Sequence, residues 1–410
     1  MELLDRFLKY VSIDTTSFPT KLDTPTTKGQ LQLAKIIIQE LDELNVDKLY
    51  FDEEHCYVYA KIEGNEEMPK LGFVSHLDTS SDAKGNDIHT KIINDYDGGS
   101  VILSEDIILD PNDYKDLKNH IGKTLITTDG KTLLGADDKA GISEIMQMIE
   151  KLKNEKIEHG DIFICFTPDE ELGMGTLHLD YGIFKPDFAY TIDGSSLGEI
   201  SYENFNAATA KIKIKGNSTH TGTAKGKMIN ASRIAFTINS LIPNEIPENT
   251  EGYEGFFHLE EIKGDVANAE LEYLIRDFDK KNFHNRKILL TEIVSKLNQK
   301  LNNCIELNIK DTYYNMKDEI GANSSIIEQT KKAMKKVNVE PIIYPIRGGT
   351  DGAEITKRGI ICPNIGTGGH NFHSVYEYAV LEDMEKTVEI LVSIVKQFSN
   401  NKTNKNYQRK

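Results

Sequence analysis

The chain has 410 residues, 39% of them hydrophobic and 8% aromatic, which is too long for one small core and suits two packed domains. Its 48 basic and 65 acidic residues leave a net charge of −17, so the surface repels phosphate backbones and argues against nucleic acid as a partner. No apolar run approaches the roughly 18 residues of a membrane span, and Cys56, Cys165, Cys304 and Cys362 form no CxxC pair, which argues against a disulfide scaffold or a cysteine zinc site.

The N-terminus, MELLDRFLKYVSID, reads as an amphipathic helix with acids near its start rather than a signal peptide, so a cytoplasmic protein is expected. Thr27 with Gln30 has the pattern of a capping box, and Leu31, Ile37, Ile38, Leu41 and Leu44 would form the buried face of the helix it opens. Strands are predicted at Tyr57 to Ile62 and Lys70 to Val74, the second running into SHLDT at 75–79. A long polar stretch from Ser80 to Leu133 is predicted to form one or two hairpins.

The segment GADDKAGI, 135–142, precedes apolar residues at helical spacing: Ile142, Ile145, Met146, Ile149 and Leu152. Asp138 in that place is a ready helix cap. The apolar run DIFICF, 161–166, reads as a buried parallel strand ending in TPDEELG, and DFAYTI ends in Asp193 and Gly194. Three strands therefore deliver acidic or imidazole side chains at their carboxyl ends, where open α/β sheets bind ligands.

From Ala208 the texture changes to alternation, as in KIKIK at 211–215, and the elements that follow have the order β-α-β-β-α-β, a ferredoxin-like signature. We read 208–315 as a domain inserted into a larger one made of 1–207 and 316–410. The earlier patterning resumes in IIYPI, IICPNI and a closing helix around Met384 to Phe398. The basic tail KTNKNYQRK, 402–410, reads as a solvated end.

The chemistry-bearing residues at the strand ends are His76, Asp78, Asp137, Glu170, Glu171, Asp193 and His373. Two divalent cations need a bridging carboxylate and about two further ligands each, and imidazole with carboxylate suits zinc, with manganese or cobalt as possible substitutes. Taken singly, each residue also has an ordinary structural explanation.

Together, HLDT, GADDKAG, TPDEELG, TIDG and GTGGHNFH, in that order and with the β-α-β-β-α-β insertion after TIDG, resemble the family of co-catalytic zinc aminopeptidases and carboxypeptidases, and in it the tripeptide aminopeptidases. The resemblance extends through FNAA, GTAKG, EGYEGF, IRDFD and IRGGTDG. It implies a zinc-exopeptidase-like mixed sheet flanked by helices, with the insert as a lid and a possible homodimer contact. It implies two zinc ions, with Asp137 bridging, His76 and Asp193 completing one site, and Glu171 and His373 the other. Glu170 would be the general base and Asp78 would orient His76. The bond between Asp137 and Asp138 would be cis. His220 would help stabilise the oxyanion, and Arg276 and Arg347 would bind the substrate carboxylate. The substrates implied are short unblocked peptides, with Asp95, Tyr96 and Asp97 as candidates for the ammonium group. The family pattern has Gly after the last metal-binding His, where this chain has Ser374, with Glu377 in place. Another amide hydrolysis by the same site, or a metal-binding protein without catalysis, remains open at this stage.

Overall fold

The computed structural model describes residues 1–21, 23–321 and 324–399; the basic tail 402–410 lies outside them. The chain divides into two compact units: one of Met1–Tyr202, Glu319–Tyr344 and the segment from Thr350 on, the other of Glu203–Asp318 and Pro345–Gly349.

The first unit is built on an eight-stranded mixed sheet. Its spatial order is Lys48–Asp52, Tyr57–Ile62, Ile162–Thr167, Leu71–His76, Phe188–Gly194, Asn364–Gly366, Glu199–Ser201 and Ile342–Ile343. The middle strands are parallel: Leu71–His76 pairs in that sense with both Ile162–Thr167 and Phe188–Gly194, which in turn pairs with Asn364–Gly366. These strands are near-continuous apolar runs because both faces are covered, as expected of parallel strands. The helix Ala136–Asn154 buries Ile142, Ile145, Met146, Ile149 and Leu152. Gly141 lets it approach the sheet: a Cβ there would lie 1.8 Å from the carbonyl oxygen of Ile192, so any side chain would push the helix off the strand that carries Asp193.

The stretch from Ser80 to Leu133 contributes the hairpin Val101–Ile102/Ile108–Leu109 and two strands, Thr90–Ile93 and Leu125–Thr128. These last two join Tyr378–Val380 and Gly369–His370 in a small sheet. The N-terminal helix is Leu3–Val11, and the closing helix is Leu381–Ser399. Among the described residues no helix is long and apolar enough to cross a membrane.

The second unit has the order strand Asn206–Lys215, helix Ala231–Leu241, strands Phe256–Gly264 and Asn268–Asp277, helix Lys280–Asn298 and strand Ile305–Tyr313. Its antiparallel sheet places the first strand between the third and fourth, the ferredoxin-like arrangement. Ile212 and Ile214 point into a core with Leu271, Tyr273, Phe283 and Leu290, while Lys211, Lys213 and Lys215 face out.

Two local expectations are corrected. Thr27 is the N-cap of Lys28–Glu43 but makes no side-chain cap bond; Gln30 is buried and donates to Asp169 Oδ1 at 2.7 Å instead. Tyr96 is a core residue whose hydroxyl donates to the Gly99 carbonyl at 2.7 Å, so it is not available for a substrate ammonium group.

Candidate metal centre

His76 ends the strand Leu71–His76 and is 2% exposed. Its Nδ1 lies 3.0 Å from the backbone oxygen of Asp78, which fixes the proton there and turns Nε2 towards the acids. Nε2 is 2.8 Å from Asp137 Oδ1 and 3.5 Å from Asp193 Oδ1. The second oxygen of Asp137, Oδ2, is 3.3 Å from Nε2 of His373, and that same nitrogen is 2.9 Å from Glu171 Oε2. Asp137 thus presents one oxygen to each of two imidazoles, and each imidazole has a further carboxylate of its own.

The backbone around these groups is specialised. Gly135 has φ +83°, Asp137 and Asp138 have non-helical angles ahead of the helix, and the Asp137–Asp138 bond is cis. Asp138 does not cap the helix; its Oδ2 accepts the backbone N–H of His76 at 3.1 Å and ties strand to helix. Asp138 also comes within ligand range of His76 and Asp193, but with Oδ2 engaged in this way Asp137 is the better placed bridge. The carboxylate of Asp78 accepts the backbone N–H groups of Glu170 at 2.9 Å and Glu171 at 3.3 Å. It therefore positions the two glutamates as well as lying beside His76.

Three residues outside the expected set shape the centre. Glu377 is buried and accepts the N–H groups of Leu134, Gly135 and Asp137 at 2.7, 2.8 and 3.2 Å, cradling the GADD turn. Asp82 Oδ2 lies 3.1 Å from His373 Nδ1. Asp169, just before the glutamates, is held by Thr24, Thr26 and Gln30. Only Glu377 left a trace in the sequence, as part of the family pattern; Asp82 and Asp169 look like ordinary loop acids. The left-handed residues of the last loop are Asn371 and His373 itself, φ +56° and +60°. Ser374 is outside that region, and its hydroxyl donates to the Asn371 carbonyl at 2.7 Å, so a glycine there is not needed.

The electrostatics point to missing positive charge. Burial pushes Asp193 and Glu171 up to about 7 and raises Glu170 and Asp138 well above the carboxylate range. Burial acts the same way on Asp137, but His373 and His76 outweigh it and hold that acid below its usual value. Conversely burial opposes charging His373, yet Asp137 and Glu171 carry it up to about 11, and Asp137, Asp193 and Asp78 raise His76. Glu171 Oε1 is buried without a hydrogen-bond partner, which a cation-binding role for this carboxylate explains. The nitrogen-to-oxygen separations bracket the roughly 3.3 Å edge of a tetrahedron with bonds of about 2.0–2.1 Å. The residues fit a pair of divalent cations.

The other candidates lie in the second unit, apart from two acids of the 80–133 segment. His220 is exposed, and its Nδ1 accepts the Gly222 N–H at 3.2 Å. Arg276 lies over the Tyr313 ring and engages only Nη1, weakly, with the carbonyls of Ala208 and Ile275. Arg347 packs over Phe205 and donates to the carbonyls of Gly252, Glu254 and Thr250, which fastens the 250–254 loop. Asp97 is exposed and closes an Asx turn on Gly99; Asp95 is exposed.

A strand-end centre of two imidazoles and bridging acids, on a mixed sheet with a ferredoxin-like insert, is the work of a metal-dependent hydrolase, and the chain belongs to the peptidase family M20/M25/M40, whose sequence model matches residues 127–397. It is therefore a peptidase. Among its relatives it is 50% identical over 397 residues to "Peptidase T" of Clostridium perfringens (strain 13 / Type A), covering 96% of this chain and 98% of that one. It is 47% identical over 404 residues to "Peptidase T" of Bacillus subtilis (strain 168), covering 97% and 98%. In fold it matches the aminopeptidase PepT from Bacillus cereus ATCC 10987 with a TM-score of 0.76 at 22% identity, over 97% of this chain and 98% of that one. It also matches the Bacillus subtilis YXEP protein, described as a dinuclear metal binding peptidase, with a TM-score of 0.66 at 13% identity and 96% coverage of both.

Proposed function

We propose that this peptidase is a cytoplasmic di-zinc aminopeptidase that removes the N-terminal residue from short unblocked peptides, chiefly tripeptides. The observation that carries the reading is the division of Asp137, one oxygen towards His76 and the other towards His373. The relatives called Peptidase T support peptides as the substrate class, and the preference for unblocked tripeptides rests on the resemblance of the site motifs.

His76, Asp137 and Asp193 would hold one cation, and Asp137, Glu171 and His373 the other; when bound, such a pair polarises a carbonyl and acidifies a water. Glu170 takes the proton of the attacking water and returns it to the leaving amine. Its position suits the task. It is partly exposed, its carboxylate accepts only a long bond from the Asp351 N–H at 3.3 Å, and burial with the neighbouring acids raises its affinity for a proton. Asp78 holds Glu170 and Glu171 by their N–H groups, so base and ligand move together. Of the two arginines Arg276 is the stronger candidate for a substrate carboxylate, because most of its five donors are uncommitted whereas Arg347 is spent on backbone carbonyls. The insert would act as a lid, with His220 as an oxyanion donor.

The test is metal analysis coupled to kinetics on free di-, tri- and tetrapeptides and on an N-acetylated amino acid. The reading requires two cations per chain that His76→Ala/His373→Ala loses, and turnover that peaks at the free tripeptide. Preference for the acylated amino acid would replace aminopeptidase by deacylase.

A further inference from the structure

Away from the centre just described, the 3-10 helix Lys115–His120, the strand Gly369–His370 and the first turn of Leu381–Ser399 bring together two histidines and an acid. His120, His370 and Asp383 are all buried, and each offers a ligand atom within 4.8 Å of the others. We propose that these three residues form a separate structural site for one zinc ion, which fastens the 80–133 segment to the strand that leads into the His373 turn.

Unsatisfied imidazole nitrogens carry the argument. Both ring nitrogens of His120 and Nε2 of His370 are buried without a hydrogen-bond partner, and so is the hydroxyl of Tyr378, whose ring stacks on His370 at 4.8 Å. Buried polar atoms are nearly always paired. Each neutral imidazole carries one lone-pair nitrogen, and two such rings buried in one pocket call for an acceptor of lone pairs, which a cation is. A simple ion pair between His120 and Asp383 leaves the other nitrogens unmet. His120 Nδ1 stands 3.3 Å from Asp383 Oδ2, the edge length of a tetrahedral zinc site. The other oxygen, Oδ1, is held at 2.6 Å by Lys123. Lys123 thus orients the carboxylate as outer partners of metal ligands do. Two nitrogens with one carboxylate oxygen suit zinc.

The experiment measures tightly held zinc per full-length chain after loading with zinc and dialysis into metal-free buffer. Wild type should retain one ion more than His370→Asn and one more than His120→Gln. A His76→Ala/His373→Ala variant, with the other centre dismantled, should still retain one ion, and adding His370→Asn should remove it. Cobalt(II) in the His76→Ala/His373→Ala variant should show the strong visible absorption of a four-coordinate site. Equal zinc in wild type, His370→Asn and His120→Gln would overturn the proposal, whatever the count at the other centre, and would leave a water or a proton as the occupant. Using both single variants guards against one of them failing to fold.

Discussion

Replacing Asp169 by Asn tests how the two glutamates are held. Asp169 is fully buried and accepts four hydrogen bonds, from Thr24 Oγ1, Thr26 N, Thr26 Oγ1 and Gln30 Nε2, at 2.5–2.8 Å. Its φ of +49° is one that Asn adopts readily, so the substitution changes the hydrogen bonding and leaves the backbone preference alone. Each oxygen faces one hydroxyl, which can rotate to become an acceptor, and one amide donor, which cannot. Either orientation of the Asn amide therefore sets one NH2 against one N–H. The loss is one charge-assisted bond plus one buried donor left unsatisfied, about 2–4 kcal/mol. Because Glu170 and Glu171 follow directly, relaxation of this knot displaces both, and kcat should fall on the order of 10–100-fold. Urea unfolding by circular dichroism, with kinetics on a free tripeptide, measures both. An Asp169→Asn protein with the wild-type urea midpoint and kcat within about twofold would refute the reasoning.

Glu170→Gln should lower kcat by about 10²–10⁴-fold, the usual contribution of general acid–base catalysis, with cation content unchanged by metal analysis; retained turnover would remove Glu170 from its role. Asp82→Ala takes away the partner of His373 Nδ1 and should weaken zinc affinity about 10–100-fold in competition with a chelator. In chelated protein, His76 and His373 have folded pKa values above the ordinary histidine value, and Asp193 and Glu171 have values near 7, above the ordinary acid value. All four groups favour the folded state in the protonated form. The acid contribution is lost between about pH 4 and pH 7 and the histidine contribution between the unfolded histidine pKa and about 11, so the Tm of the chelated protein should fall steadily above roughly pH 4. Zinc, replacing those protons, should flatten the slope; parallel pH profiles with and without zinc would contradict this.

The proposed ligands were legible because their chemistry is scarce: His76, Asp137, Glu171, Asp193 and His373 are residue types that need a reason to stand at strand ends. The β-α-β-β-α-β order was legible because its alternation, seen at Lys211 to Lys215, records one buried face. What escaped reading depends on contacts far along the chain. Gln30 sits where a capping box would put it, but a buried carboxylate 139 positions away competes successfully for its amide. Tyr96 lies in an acidic stretch that looks like surface and is nevertheless core, because Leu103, Leu117 and Tyr378 close over it. The order of the main sheet was equally hidden: short strands such as Glu199–Ser201 and Ile342–Ile343 carry too few residues for any period to show.

The strand Asn364–Gly366 lies inside the main sheet, between Phe188–Gly194 and Glu199–Ser201, which are made long before it. On the ribosome, at about 5–20 residues per second, those two wait roughly 8–30 s for the strand that separates them. The ferredoxin-like unit has its own core and is complete within that interval. The main sheet meanwhile keeps a gap lined with unpaired backbone groups, the kind of edge that recruits other chains. His373 emerges later still, after His76, Asp137, Glu171 and Asp193, so these five residues come together only once that loop has been made.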